Sequence, residues 1–84
     1  MPPLAAAPNP RLPYQQQPVP AHTVRLGDWL LHSDGRTMFR VKAAFQQPRH
    51  SYISFHTQDP VHLRPWDQVI LVPPFRPRTH LHPL

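Results

Sequence analysis

The chain has 84 residues, too few for more than one domain. It contains no cysteine, which excludes disulfides and thiolate metal sites, and no stretch approaches the ~20 apolar residues of a transmembrane helix. Nine basic against four acidic side chains give a net charge of +5, which suits an anionic partner such as nucleic acid or an acidic protein surface. The N-terminus lacks the basic start and apolar run of a signal peptide, so we expect a cytoplasmic protein that does not enter the membrane.

Proline divides the chain into three segments. Seven of the 14 prolines lie within residues 2–20, and four more lie within residues 73–83. Because proline has no backbone N–H and fixes φ, neither segment is expected to form a helix or a central strand. We therefore predict a disordered proline-rich arm over residues 1–22, a folded domain over residues 23–72, and a Pro/Arg/His tail over residues 73–84.

Short strands account for the central segment. In chain order, the predicted strands are Val24–His32, Thr37–Phe45, Ser51–His56, Val61–Arg64 and Val69–Val72. The second strand has the clearest pattern, because apolar residues alternate with basic or small ones at a period of two. This alternation predicts that Phe39, Val41 and Phe45 face the core, whereas Arg40 and Lys42 face outward.

The connections between these strands suit a small closed sheet. Ser33–Gly35 has the composition of a hairpin turn, and Pro65–Gln68 predicts a single 3-10 turn before the last strand. No window of the chain has helical spacing of apolar residues. A closed sheet would leave no long unpaired edge. The sequence therefore predicts an all-β fold, a five-stranded SH3-like barrel with disordered proline-rich tails.

The strongest candidate for a functional feature is a basic surface on the outside of this sheet. The period-two alternation places polar and basic side chains of the second, third and fourth predicted strands on the face opposite the core. Neighbouring strands would combine them into a surface that contacts phosphates by charge and stacks on a base. The ordinary alternative is that any half-buried sheet exposes polar residues. The predicted anion-binding residues, including two in the tail, are Arg40, Lys42, Tyr52, His62, Arg64, Arg76 and Arg78.

Metal binding and nucleophilic catalysis have little support in the sequence. Seven histidines are present, including the pair in His80–His82, but there is no cysteine or glutamate to complete a tetrahedral site, so no metal is predicted. Serine, aspartate and histidine show no catalytic spacing. Trp29 and Trp66 are predicted to lie in the core or at a subunit contact, because so small a core needs its large side chains.

Part of the central segment resembles a known family. Leu26–Asp28 entering a strand, a turn at Gly35, and Val61–Pro65 near the end resemble the plasmid-borne type II dihydrofolate reductases, over roughly residues 23–72. The resemblance implies an SH3-like barrel, a homotetramer around one central pore, and NADPH and dihydrofolate as ligands. It implies that the ligand-contacting residues are His62, Leu63, Arg64 and His32. Three of these differ from the family, in which glutamine, tyrosine and lysine stand in place of His62, Arg64 and His32.

Three functions follow as alternatives. The first is a non-enzymatic SH3-like module without a cofactor that binds an anionic partner, nucleic acid before an acidic protein surface. The second is a type II-like, NADPH-dependent dihydrofolate reductase that acts as a homotetramer. The third is a protein–protein adaptor of a mobile element. A core this small is marginal alone, so a homo-oligomer is one way in which the chain would gain stability.

Overall fold

The computed structural model describes residues 3–75, and these form one antiparallel sheet. The strands are β1 (Gln17–Pro20), β2 (Trp29–Leu31), β3 (Met38–Gln47), β4 (His50–Phe55), β5 (Val61–Leu63) and β6 (Gln68–Val72). Their order in the sheet is β1-β6-β2-β3-β4-β5, so β1 and β5 are its edges. The all-β prediction is confirmed, but the sheet has six strands and two edges rather than five strands closed on themselves. No helix among residues 3–75 has the length and apolar character needed to cross a bilayer.

The main core lies on one face of this sheet. Leu30 of β2, Val41 of β3 and Ile53 of β4 are fully buried in it, together with Val69 and Leu71 of β6. Along β3 and β4 these positions alternate with more exposed ones, as expected for a sheet with one face on the core. On the opposite face, Leu31 of β2 and the β6 residues Ile70 and Val72 form a second buried cluster. Residues on the opposite face of β3 to β5 are available to solvent or to other segments.

A β-bulge at Lys42 reverses the phase of β3. Val41 lies opposite Phe55, and the register shifts before the next pair, so that two residues of β3 oppose one of β4. Alternation then resumes on the other phase, and Phe45 lies opposite Tyr52 with 61% of its surface exposed. The prediction that Phe45 faces the core is therefore wrong, because uninterrupted period-two alternation does not allow for an inserted residue.

The N-terminal segment packs against the sheet. Leu4 is only 5% exposed and joins the main core, and the Ala5 N–H donates to the Leu31 carbonyl at 3.0 Å. Leu12 and Tyr14 cover the outer face of β2 and β6. The described part of the N-terminal segment therefore packs against the sheet, and the prediction of a disordered arm is not confirmed. The prolines of β1 are accommodated because β1 is an edge strand, where missing N–H donors cost little.

The two predicted turns differ in how the structure forms them. The β2–β3 turn is held by the Asp34 carboxylate, which accepts hydrogen bonds from the Thr37 hydroxyl and from the N–H groups of Thr37 and Arg36. These hydrogen bonds hold the pKa of Asp34 well below its usual range. Between β5 and β6, the Asp67 N–H donates to the Arg64 carbonyl at 3.0 Å and closes a simple turn. This i→i+3 hydrogen bond is that of a single 3-10-type turn, where the sequence predicts one, and a separate 3-10 helix spans Ala21–Thr23.

Candidate functional site

A row of exposed rings crosses the outer face of three strands. Phe45 of β3 lies directly opposite Tyr52 of β4, and Tyr52 lies directly opposite His62 of β5. Directly opposed residues of antiparallel strands project from the same face. The Tyr52 and His62 rings stack nearly parallel, with centroids 4.3 Å apart and an interplanar angle of 10°. The row therefore presents two stacked rings beside a phenyl ring to solvent.

A second histidine extends the row toward the β3–β4 turn. His50 begins β4, and its Nδ1 lies 2.6 Å from Nε2 of His62. Its ring also lies beside Tyr52, with centroids 6.2 Å apart. The contact between the imidazoles needs one nitrogen to donate and the other to accept, so it fixes the orientation of both rings.

A guanidinium and an indole complete the surface at the end of β5. Arg64 follows His62 by two residues, which is the spacing of one sheet face, and its guanidinium carbon lies 5.7 Å from the ring centroid of Trp66. Trp66 is 63% exposed. We name this set of side chains the outer aromatic surface, and it consists of Phe45, His50, Tyr52, His62, Arg64 and Trp66.

Asp67 positions the arginine of this surface. Its Oδ1 accepts from Nε of Arg64 at 2.9 Å and lies 2.7 Å from the terminal guanidinium nitrogen Nη2, while Oδ2 accepts from the Arg64 backbone N–H. The hydrogen bond from the guanidinium lowers the pKa of Asp67 and raises the pKa of Arg64, with the charge of the partner acting in the same direction. Asp67 therefore stays ionised and holds the guanidinium over the indole, with one planar face available.

The structure brings together some of the predicted anion-binding residues and separates others. Tyr52, His62 and Arg64 lie in the outer aromatic surface. Lys42 is exposed at the bulge of β3. Arg40 is also exposed, but it lies about 17 Å from Phe45 along β3, at about 3.3 Å per residue, where it lines a separate hollow. Arg76 and Arg78 lie outside the described residues.

The sequence patterns did not predict three residues of the outer aromatic surface. Phe45 was assigned to the core because the bulge cannot be read from alternation. His50 lies just outside the predicted strand Ser51–His56, but it is the first residue of β4. Trp66 was predicted to be buried or at a subunit contact, yet it is largely exposed in the single chain. The position of Trp66 directly after Pro65 in a tight turn indicates exposure, because turns run over the protein surface.

The residues implied by the reductase resemblance are distributed over two parts of the sheet. His32 is half-buried after β2, and its ring packs against the Phe39 ring in a T-shaped arrangement, with the ring centroids 5.2 Å apart. Leu63 packs against the main core from β5, and His62 and Arg64 project on the opposite face. β3 and β4 separate β2 from β5 in the sheet. A pore formed between four copies would draw these residues from different chains, so their separation in one chain is compatible with that alternative.

The chemistry of the outer aromatic surface is stacking combined with positive charge. Beside the aligned Arg64, the side chains of Lys42 and Arg49 are exposed and have no hydrogen-bond or ion-pair partner within residues 3–75. Within the same range, no group of three or more histidine, cysteine or acidic side chains converges in a way that could hold a metal ion.

Comparison of the chain with protein-family models, with curated protein sequences and with solved structures finds no match.

Proposed function

We propose that this protein is a small, non-enzymatic binding module that holds single-stranded nucleic acid on the outer aromatic surface. The observation that carries the proposal is the exposed row of Phe45, Tyr52 and His62, which lie directly opposite one another on three adjacent strands. Single exposed apolar residues are ordinary on protein surfaces. Three rings in register, continued by a guanidinium–indole pair, form a surface on which successive bases can stack.

The charge of this surface favours nucleic acid over a protein partner. Arg64 belongs to the outer aromatic surface, Arg49 directly precedes His50 in the chain, and Lys42 precedes Phe45 on β3 by three residues. The carboxylate of Asp67 is already paired with Arg64. The whole chain carries a net charge of +5. Rings alone would suit an apolar protein partner, whereas rings interleaved with arginine and lysine match alternating bases and phosphates. An acidic protein surface is the second candidate partner, since it offers charge but few faces for stacking.

An SH3-like architecture is part of the proposal. Strands β2 to β5 follow one another in the sheet, a tight turn connects β5 to β6, and β6 returns to pair with β2. This connectivity supports an SH3-like arrangement. The outer face of such a sheet can hold a single strand without a deep groove.

The direct test is binding of a short fluorescent oligothymidylate, followed by anisotropy at several salt concentrations. If about three cations contact phosphates, the slope of log K against log[salt] should be near −2, which corresponds to a loss of affinity of about tenfold to twentyfold between 50 and 200 mM salt. A duplex of the same length should bind more weakly, because its bases are not available for stacking. Absence of binding at low salt, or binding that does not respond to salt, would contradict the proposal.

The reductase alternative remains open to a separate test. His62 and Arg64 lie on and directly after the edge strand β5 and are exposed in the single chain, as residues that line a pore between subunits would be. That alternative predicts a tetramer and NADPH oxidation in the presence of dihydrofolate. A monomeric mass in solution at concentrations used for activity assays would eliminate it. The adaptor alternative predicts capture of a protein partner with no affinity for oligonucleotides.

A further inference from the structure

A second feature on the outer face lies at the other end of β3. It is a hollow of about 260 Å³ lined by Trp29, Met38, Arg40, His56 and Thr57, and we name it the Trp29 hollow. Ligand pockets commonly measure ~300–1,000 Å³, so this hollow is suited to a fragment no larger than a single nucleotide. None of its lining residues belongs to the outer aromatic surface.

The strand register explains why these side chains converge. Trp29 of β2 lies directly opposite Arg40 of β3, so both project from the same face. Met38 precedes Arg40 by two residues and shares that face. Val41 pairs with Phe55, which places His56, the next residue of the chain, beside Arg40. Three segments of the chain therefore contribute to one hollow, and its shape is fixed by the sheet.

The donors of the Trp29 hollow are available to a ligand. The side chains of Arg40, His56 and Thr57 have no hydrogen-bond or ion-pair partner within residues 3–75. Arg40 and His56 are also exposed, and no carboxylate within the described residues pairs with the Arg40 guanidinium. The half-buried indole of Trp29 contributes apolar surface to the lining, and the neighbouring guanidinium of Arg40 contributes paired donors that match a phosphate.

We infer that the Trp29 hollow binds one nucleotide, with the base against the Trp29 indole and the phosphate contacted by Arg40 and His56. This inference rests in part on the proposed function, because one source of the nucleotide is a strand that runs along β3 from the outer aromatic surface. The exposed Lys42 lies between the two sites on β3 and would contact the intervening phosphates. The other source is a free mononucleotide, which shares the same chemistry.

The test uses adenosine 5′-monophosphate as the probe and the full chain in a Trp66→Phe background, so that Trp29 is the sole tryptophan. We expect saturable quenching of its fluorescence, and we expect Arg40→Gln to weaken binding about tenfold through loss of a charge-assisted contact. Arg36→Gln is the matched control, since it removes the same charge from an exposed turn residue outside the hollow. Adenosine without phosphate should bind more weakly than the monophosphate.

The outcomes separate this inference from the proposed function. Quenching that persists in a Tyr52→Ala variant, which lacks the central ring of the outer aromatic surface, supports an independent nucleotide site. If oligothymidylate does not bind the unmodified protein but the monophosphate binds, the inference stands and the proposed function fails. No saturable quenching up to millimolar monophosphate, or equal weakening by Arg40→Gln and Arg36→Gln, overturns the inference. If Arg40→Gln does not fold by circular dichroism, His56→Asn takes its place with the same expectation.

Discussion

Replacement of Tyr52 with alanine is expected to weaken oligothymidylate binding roughly fivefold to 150-fold, while leaving the fold intact. Tyr52 is the middle ring of the outer aromatic surface and contacts both His50 and His62. Loss of a stacking side chain costs about 1–3 kcal/mol per base in single-strand binding, which gives the stated range. Its side chain is 41% exposed, so its removal opens no cavity in the core. Anisotropy titrations at low salt measure the effect.

Leu26→Ala is the matched control for this measurement. Leu26 is 60% exposed in the loop before β2, outside the outer aromatic surface, and its truncation removes a similar amount of apolar surface. We expect its affinity for oligothymidylate to equal that of the unmodified protein. Equal loss of affinity in Tyr52→Ala and Leu26→Ala would mean that exposed apolar area in general drives binding. No loss in Tyr52→Ala would remove the stacking row from the binding site.

The second large effect concerns stability. Leu4→Ala is expected to lower the free energy of unfolding by about 2–5 kcal/mol, the usual cost of truncating a buried leucine. Leu4 is 5% exposed, and its neighbours are tied to the sheet by the hydrogen bonds from Ala5 N–H to the Leu31 carbonyl and from Ser33 N–H to the Pro3 carbonyl. For a domain of this size, such a loss is a large part of total stability. Urea denaturation followed by circular dichroism measures it.

Leu26→Ala again supplies the comparison, because it deletes the same side chain from an exposed site, and we expect a change within about 0.5 kcal/mol. A disordered N-terminal arm would predict the same small change for Leu4→Ala. Similar unfolding midpoints for the two variants would therefore show that the segment around Leu4 does not pack into the core in solution.

Local sequence patterns predicted much of the sheet. The alternation from residue 37 onward located β3, and the composition of Ser33–Gly35 located the hairpin turn before it. Gly35 adopts a positive φ of 75°, as a tight turn of this kind requires. The period-two pattern placed Val41 in the core because that residue precedes the bulge. These features depend on residues close in sequence, whose physical preferences are largely local.

Features that depend on contacts between distant segments could not be predicted. The bulge at Lys42 is defined by pairing with β4, so Phe45 has the same local sequence whether it faces inward or outward. The N-terminal segment has a proline content typical of disorder, but its burial depends on contacts with side chains of β2 and β6. Gln68 Nε2, which donates to the Ala6 carbonyl at 2.5 Å, is separated from it by most of the chain.

The candidate site was recovered in part for the same reason. Tyr52 and His62 share an outward phase on adjacent strands, and this could be derived from alternation alone. The sequence groups Arg40 with them because alternation predicts which face of the sheet a residue lies on. Alternation does not predict how far apart two residues lie on that face. The ring contacts of His50 and the alignment of Arg64 by Asp67 arise from register and turn geometry, which only the folded chain reveals.

The most direct test of the central claim is a two-dimensional ¹H–¹⁵N correlation spectrum of the labelled protein, titrated with oligothymidylate at low salt. Binding on the outer aromatic surface predicts that the largest shifts occur at Phe45, Tyr52 and His62 and in the β5–β6 turn. The amides of β1 and of the N-terminal segment over residues 3–16 should shift little. Largest shifts at β1 and the N-terminal segment, with β4 and β5 unchanged at saturation, would contradict the assignment of this surface as the binding site.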